Sequence, residues 1–205
     1  MCAIQTKFPE HQGDFLDATF VEVSGDDVLL RVTVSGPPGS GTSTLVSKIT
    51  ESRGWGSING GDVFRDEASR RGISVEELSY LAKNDLEIDR ALDSLLLKAM
   101  CSEDSPEVVE SRLSGWWAHN RELECVRVWV MVSEKERARR IQKREGGNLQ
   151  ECLMRSQQRQ RDDKERYIAL YGIDLDDMSP YSLVIDADQK SENEVFEIVN
   201  LELKR

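Results

Sequence analysis

The chain has 205 residues, with 27 Lys and Arg against 38 Asp and Glu and a formal net charge of -11. That length fits one α/β domain with room for an inserted subdomain, and so acidic a balance argues against nucleic acid or an anionic membrane as partner, so any anion site must be built from local arginines. Cys2, Cys101, Cys125 and Cys152 form no C-x-x-C pair, the N-terminus carries no basic-then-apolar signal, and no apolar run approaches the ~20 residues that span a bilayer; the expectation is a soluble, cytoplasmic monomer without zinc or disulfides.

Residues 1–27 read as an N-terminal arm, loosely ordered or with one short extra strand, because they include Pro9 and Gly13 and few bulky apolar side chains. Thr19 to Val23, the polar Ser24 to Asp27, and Val28 onward look locally like a β-hairpin. A strand that feeds a phosphate loop, however, lies centrally in a parallel sheet and leaves no edge for a hairpin partner. Residues 28–205 read as one domain. Its first apolar run, Val28 to Val34, leads into Gly36-Pro37-Pro38-Gly39-Ser40-Gly41-Thr42-Ser43. Gly39 and Gly41 can take φ values closed to other residues, so successive backbone N–H groups can turn inward and cradle a polyphosphate.

A helix is expected from about Gly41, since Leu45, Val46 and Ile49 recur at helical spacing and Thr42, Ser43 and Thr44 can satisfy its first-turn donors. Its N-terminus would aim partial positive charge at the phosphate. The spacing fits G-x-x-x-x-G-K-[ST] at every point but one, because Thr42 stands where that pattern has lysine. Gly36, Gly39, Ser40, Gly41, Thr42, Ser43 and Thr44 are therefore the phosphate-binding candidates. Ser43 is the candidate to hold Mg²⁺ through its hydroxyl, partly by way of water.

Farther along, Trp55 to Ile58 reads as a short strand, and Asn59-Gly60-Gly61-Asp62 turns the chain into a helix with Arg65 near its start and Gly72 at its stop. Ser74 and Glu77 have capping-box spacing. The next helix runs from Asp85 to about Met100, with Ile88, Leu92, Leu95, Leu96 and Ala99 as its apolar stripe. Pro106 to Glu110 is a short strand, and Cys125 to Val132, apolar apart from Arg127, has the pattern of a strand covered on both faces. Ser133 and Glu136 make a second capping box, opening a helix from about Glu134 to Glu145 that Gly146-Gly147 ends. After a helix from about Asn148 to Leu170 come a strand at Ser182 to Ile185 and a closing helix burying Val195, Ile198 and Val199. This alternation implies a doubly wound parallel β-sheet with helices on both faces.

Two helices carry arginines in register. Arg137, Arg140 and Arg144, at i, i+3 and i+7, lie within roughly 60° of one another, with no carboxylate stripe beside them; the face is either solvated or turned towards an anion. Arg159, Asp163 and Arg166, at i, i+4 and i+7, share a face in the same way. Arg159 and Asp163 are either a surface ion pair or part of a grip in which both arginines hold a phosphate and Asp163 accepts from a sugar hydroxyl or a base amine.

Taken together the motifs resemble those of the archaeal-type cytidylate kinases, in the nucleoside monophosphate kinase group of P-loop NTPases, from about Leu29 to Val199. The pieces that carry the resemblance are the loop Val34 to Thr44, Gly61-Asp62-Val63-Phe64-Arg65, Glu87-Ile88-Asp89-Arg90, Val109 to Trp116, Glu136 to Arg140, Lys143 to Gly146, and Arg166 to Asp174. Ser111 departs from the glycine usual before Arg112. The resemblance implies a P-loop fold with an inserted helical monophosphate-binding region at 60–104 and an arginine-bearing lid at 137–150, and transfer of the ATP γ-phosphate to CMP or dCMP with Mg²⁺. It implies that Arg65, Arg112, Arg159, Asp163 and Arg166 bind the monophosphate, that Arg140, Arg144 and Arg166 serve catalysis, and that threonine in place of the lysine is compatible with activity. A kinase for UMP or AMP, and a nucleotide sensor without activity, are the competing readings.

Overall fold

The computed structural model describes residues 29–74, 77, 78, 81 and 85–204; the expected arm at 1–27, with its strand at 18–23, lies outside them. Five strands, β1 (Val32–Ser35), β2 (Ser57–Asn59), β3 (Val108–Glu110), β4 (Val126–Met131) and β5 (Leu183–Asp186), form one sheet in the order β2-β3-β1-β4-β5. Every neighbouring pair is parallel. β1 is the middle strand: Val32 pairs with Val108 on one side and Val126 on the other, so both its edges are filled. The expected hairpin partner therefore has no edge on β1 to occupy.

The helices are α1 (Thr42–Arg53), α2 (Gly60–Arg71), α3 (Leu86–Met100), α4 (Ser114–Asn120), α5 (Glu134–Glu145), α6 (Leu149–Tyr171) and α7 (Glu192–Glu202). They cover the sheet on both faces, as the alternation of elements requires. On one face Leu45, Val46 and Ile49 of α1 and Val195 and Val199 of α7 close over Val32, Val34, Val128, Val130 and Ile185. On the other, Ile88, Leu92, Leu96 and Met100 of α3 and Tyr167, Leu170 and Tyr171 of α6 pack with Val109, Leu113 and Trp117. Consecutive Val108 and Val109 belong to opposite faces, which is the period of two expected of a strand.

Local sequence signals place most element ends. Asp85 caps α3 by accepting from the Glu87 amide, Asn148 caps α6, and Gly54, Gly72 and Gly172 close α1, α2 and α6 in the left-handed conformation. Ser74 and Glu77 form the reciprocal capping box that their spacing predicts. The second box is only half made. Ser133 Oγ accepts from the Glu136 amide, but the Glu136 carboxylate turns to Arg140 and the Ser133 amide donates instead to Asp188. The α3 stripe also needs correction: Leu95 is exposed and Met100 is fully buried in its place, because the stripe continues from Ile88 and Leu92 through Leu96 to Met100.

Gly115 in α4 is imposed by packing. A Cβ there would stand 2.2 Å from Tyr181 Cε1, so the helix backbone lies directly on that ring. Tyr181 in turn packs on Trp129 of β4, with ring centroids 5.1 Å apart. The short helix after β3 is thereby held flat against the sheet, and it is the segment 111–113 just before it that delivers Arg112 to the end of β1.

Candidate active site

The site forms where β1, β3 and β4 end. Ser35 closes β1 and the loop follows, with Gly39 and Gly41 at φ 83° and 94°. Gly36 is required by close approach, since a Cβ would lie 2.6 Å from Ser40 Oγ and 2.8 Å from the Val130 carbonyl. Helix α1 starts at Thr42 without a side-chain cap, contrary to the expectation that Thr42, Ser43 and Thr44 supply one. Its first-turn amides are left with the positive end of the helix for an anionic ligand. Ser43 instead donates to Glu110 Oε1 at 3.0 Å, across from the end of β3. The Ser40 hydroxyl is buried with no partner among the described residues.

Around the loop the structure separates the three arginines of α5. Arg137 is 1 % exposed and is committed to Ser156 Oγ at 3.1 Å, to Gln160 and to the Pro38 carbonyl at 3.4 Å. It ties α5 to α6 and to the loop, and burial lowers its guanidinium from the ordinary value. Arg140 reaches the loop itself: it donates to the Ser40 carbonyl at 3.0 Å and the Ala187 carbonyl at 2.6 Å, with Glu136 at 3.1 Å behind it. Its Nη1 lies 3.7 Å from where a Cβ on Gly41 would stand. Arg144 is exposed and pairs with its neighbour Glu145. The three do not act alike: Arg137 packs against α6 and the loop, Arg140 bonds the loop with Glu136 as the carboxylate beside it, and Arg144 stays exposed.

The second arginine set also rearranges. Asp163, 7 % exposed, does not pair with Arg159; it takes Arg112 Nη2 at 3.0 Å on one oxygen and Arg166 Nη2 at 3.1 Å on the other. Arg112 also donates to the Gly36 carbonyl of the loop. Arg166 reaches on to Asp89 of α3, Nε to Oδ2 at 3.5 Å, and to the Tyr167 hydroxyl at 3.1 Å. Gly36, Arg112, Asp163, Arg166 and Asp89 therefore form one chain of polar contacts from the loop to α3. Arg159 is exposed and makes no ion pair among the described residues, though its charge helps to lower Arg112. Arg65 lies exposed on α2 and pairs with Asp62. A cavity of about 310 Å³ opens behind the loop prolines, with Arg112, Arg137, Gln160 and Asp163 as its polar wall.

Burial sets the electrostatics here. It lowers Arg112, against the opposing pull of Asp163, and a guanidinium so placed still keeps its charge. For Arg166 burial acts in the same direction, but Tyr167, Asp89 and Asp163 outweigh it and the group is raised. Asp89 is raised by burial in spite of Arg166. Its neighbour one turn on, Asp93, is pushed up to about 7 by burial, although the Tyr171 hydroxyl donates to it at 2.9 Å and Arg166 acts to lower it. Spacing along α3 gave no reason to single out Asp89 or Asp93, nor spacing along β3 to single out Glu110; their partners lie on α6 and α1, 67 residues distant for the Ser43 contact and 78 residues for the Tyr171 contact.

A family model described as an AAA domain matches residues 35–168. The chain is 39% identical over 170 residues to a cytidylate kinase of Archaeoglobus fulgidus, covering 83% of this chain and 92% of that one. It is 38% identical over 170 residues to a cytidylate kinase of Pyrococcus furiosus, covering 83% and 86%. Among solved structures, a shikimate kinase from Bacteroides thetaiotaomicron superposes with a TM-score of 0.56 at 12% identity, over 86% of this chain and 99% of that one, and so shares the fold.

Asp93 makes stability depend on pH. Below about pH 4 both folded and unfolded chains hold its proton. Between there and its folded value of about 7 the unfolded chain releases the proton first, so stability from this group is lost as pH rises. Asp93→Asn, which keeps an acceptor for Tyr171, is expected to unfold at higher urea than the wild type at pH 8, by about 1–3 kcal/mol, with the gap closing towards pH 4. A gap that stayed constant with pH would contradict the assignment.

Proposed function

The chain belongs to the cytidylate kinase family of P-loop kinases, and from that membership we propose that it transfers the γ-phosphate of ATP to CMP and dCMP, giving CDP and dCDP. The observation that carries the reading is the double bonding of Arg112, to the Gly36 carbonyl and to Asp163. A cation that serves the acceptor is thereby joined directly to the loop that serves the donor, which is the proximity a transfer between two phosphates needs.

Residues Gly39 to Ser43 and the first amides of α1 would hold the donor phosphates. Arg112 and Arg166 would hold the acceptor phosphate, with Arg65 and Arg159, both at the exposed rim, closing on it from α2 and α6. Ser43 and Glu110 suit Mg²⁺, as two hard oxygen donors 3.0 Å apart in a place where most of the metal's shell would come from phosphate and water. When bound, the metal spreads the charge of the donor phosphates. No general base is called for, because a monophosphate oxygen is already an anionic nucleophile. The protein's task is alignment and positive charge around the moving phosphoryl group.

Thr42 supplies no charge where the loop pattern has lysine. Arg140 does, since it already bonds the loop at Ser40. Arg144 would join it from the exposed end of α5. The cytoplasm is the proposed compartment and a monomer the proposed state. No helix among the described residues is long and apolar enough to cross a membrane, and Cys101, Cys125 and Cys152 are free.

Coupled ADP release measured across CMP, dCMP, UMP and AMP tests the substrate assignment. CMP and dCMP should be turned over far faster than AMP; equal rates with AMP would leave a kinase but remove the cytidylate reading, and ATP binding without turnover of any acceptor would indicate a sensor. Arg140→Ala should lower kcat by about 100-fold or more while weakening ATP binding without acceptor much less, as expected of charge that acts mainly on the transition state. An unchanged kcat, or a Thr42→Lys variant orders of magnitude faster than wild type, would show that Arg140 does not stand in for the lysine.

A further inference from the structure

The spacing Ser-x-x-Glu opens a capping box at three places, and two of them close it. Glu77 takes the Ser74 amide at 2.8 Å, and Glu194 takes the Ser191 amide at 2.8 Å. Glu136 does not follow them. Its amide still donates to Ser133 Oγ at 3.4 Å, but its carboxylate has turned along α5, with Oε1 3.1 Å from Arg140 Nε and Oε2 3.6 Å from Arg139 Nη1. The Ser133 amide, which that carboxylate would have taken, goes instead to Asp188 Oδ1 at 2.6 Å, just after β5 and 55 residues away. A contact that the local sequence encodes has been handed to a distant residue, and breaks of this kind concentrate at functional sites.

Helix stability does not explain the exchange. An i, i+4 ion pair on a helix face stabilises little, and here Arg140 and Glu136 keep 28% and 27% of their side-chain surface exposed. What the contact does is hold the guanidinium by its inner nitrogen. With Nε on Glu136, the planar fork is set, and its outer nitrogens rest on two carbonyls, Nη1 on Ser40 at 3.0 Å and Nη2 on Ala187 at 2.6 Å. We infer that Glu136 is the positioning residue for Arg140, keeping Nε in place while Nη1 and Nη2 are released to the donor phosphate, so that the fork need not be ordered during the transfer. This rests on the reading of the chain as a kinase in which Arg140 supplies the charge that Thr42 lacks, and deepens it. Glu136 touches no substrate and acts only through Arg140. Asp188 completes the device: by capping α5 next to Ala187, it keeps the start of that helix beside the carbonyl on which Arg140 rests.

The test compares Glu136→Ala, Glu136→Gln and Arg140→Ala, the double variant Glu136→Ala with Arg140→Ala, and Glu194→Ala as the control for a lost capping carboxylate. Each is measured for kcat with CMP, for ATP binding by calorimetry without acceptor, and for Tm. Glu136→Ala should lower kcat by about 10-fold or more and weaken ATP binding by about 3-fold or less. Glu136→Gln, whose amide oxygen still accepts from Nε, should stay within about 3-fold of wild type. Once Arg140 is alanine, Glu136→Ala should change kcat by less than about 2-fold, because the residue it positions is gone. A Glu136→Ala that behaves like Glu194→Ala, with a lower Tm and an unchanged kcat, overturns the inference. So does a full loss of kcat on Glu136→Ala in the Arg140→Ala background, or a Glu136→Gln as slow as Glu136→Ala. A second readout needs no turnover: the Arg140 Nε–H signal in the ¹H–¹⁵N spectrum, identified as the one missing from Arg140→Lys, should exchange slowly with water in wild type and Glu136→Gln and rapidly in Glu136→Ala. A signal that is the same in all three overturns the inference. A wild type that turns over no acceptor overturns the kinase reading instead, and the Nε–H signal still decides whether Glu136 holds Arg140.

Discussion

Asp163 is the contact on which the site depends. One buried carboxylate holds Arg112, which comes from the segment after β3, and Arg166, which comes from its own helix one turn on. Through Arg112 it is joined to the loop at Gly36, and through Arg166 to Asp89 on α3. Removing one partner of such a buried pair typically costs about 3–5 kcal/mol, because the charge left behind has neither water nor counterion. With Asp163 gone, two guanidinium groups would face each other across the end of β1. The carboxylate therefore does two things at once: it compensates a dense group of cations, and it fixes where their guanidinium groups point, which in the proposed function is towards the acceptor phosphate.

The same logic explains how Arg140 is held. It donates to two neutral carbonyls, Ser40 and Ala187, and to one carboxylate, Glu136. Neutral acceptors are weak competitors for a guanidinium next to a phosphate, whose hydrogen bonds are roughly twice as strong. In the proposed function Arg140 would exchange a carbonyl for a phosphate oxygen. Arg137 shows the opposite use of the same residue type one turn earlier. Buried and bonded to Ser156, Gln160 and Pro38, it holds α5 and α6 at the loop.

What the sequence made legible divides along range. Helix α5 begins and ends where Ser133 and Gly146 say it should, α3 follows directly on Asp85, and the loop between Gly36 and Ser43 takes the left-handed turns its glycines require. These signals are local, written within a few residues of what they control. The polar partnerships were not legible in that way. Helical spacing brought Arg159, Asp163 and Arg166 to one face correctly, yet Asp163 chose Arg112, whose nearness is set by strand order and not by any spacing along α6. Asp89 and Glu110 lie inside motifs that carry the resemblance, but nothing in those motifs names their partners, which come only from the packing of α3 against α6 and of β3 beside the loop. Leu95 was misplaced for a related reason: an apolar residue at helical spacing is buried only if a neighbour covers that side.

A structure of the chain crystallised with CMP and a non-hydrolysable ATP analogue is the most direct measurement of this arrangement. The account predicts the acceptor phosphate within hydrogen-bond reach of both Arg112 and Arg166, on the loop side of Asp163, facing the terminal phosphate of the ATP analogue. An acceptor phosphate bound elsewhere, with Arg112 and Arg166 still held only by Asp163 and Asp89, would contradict it.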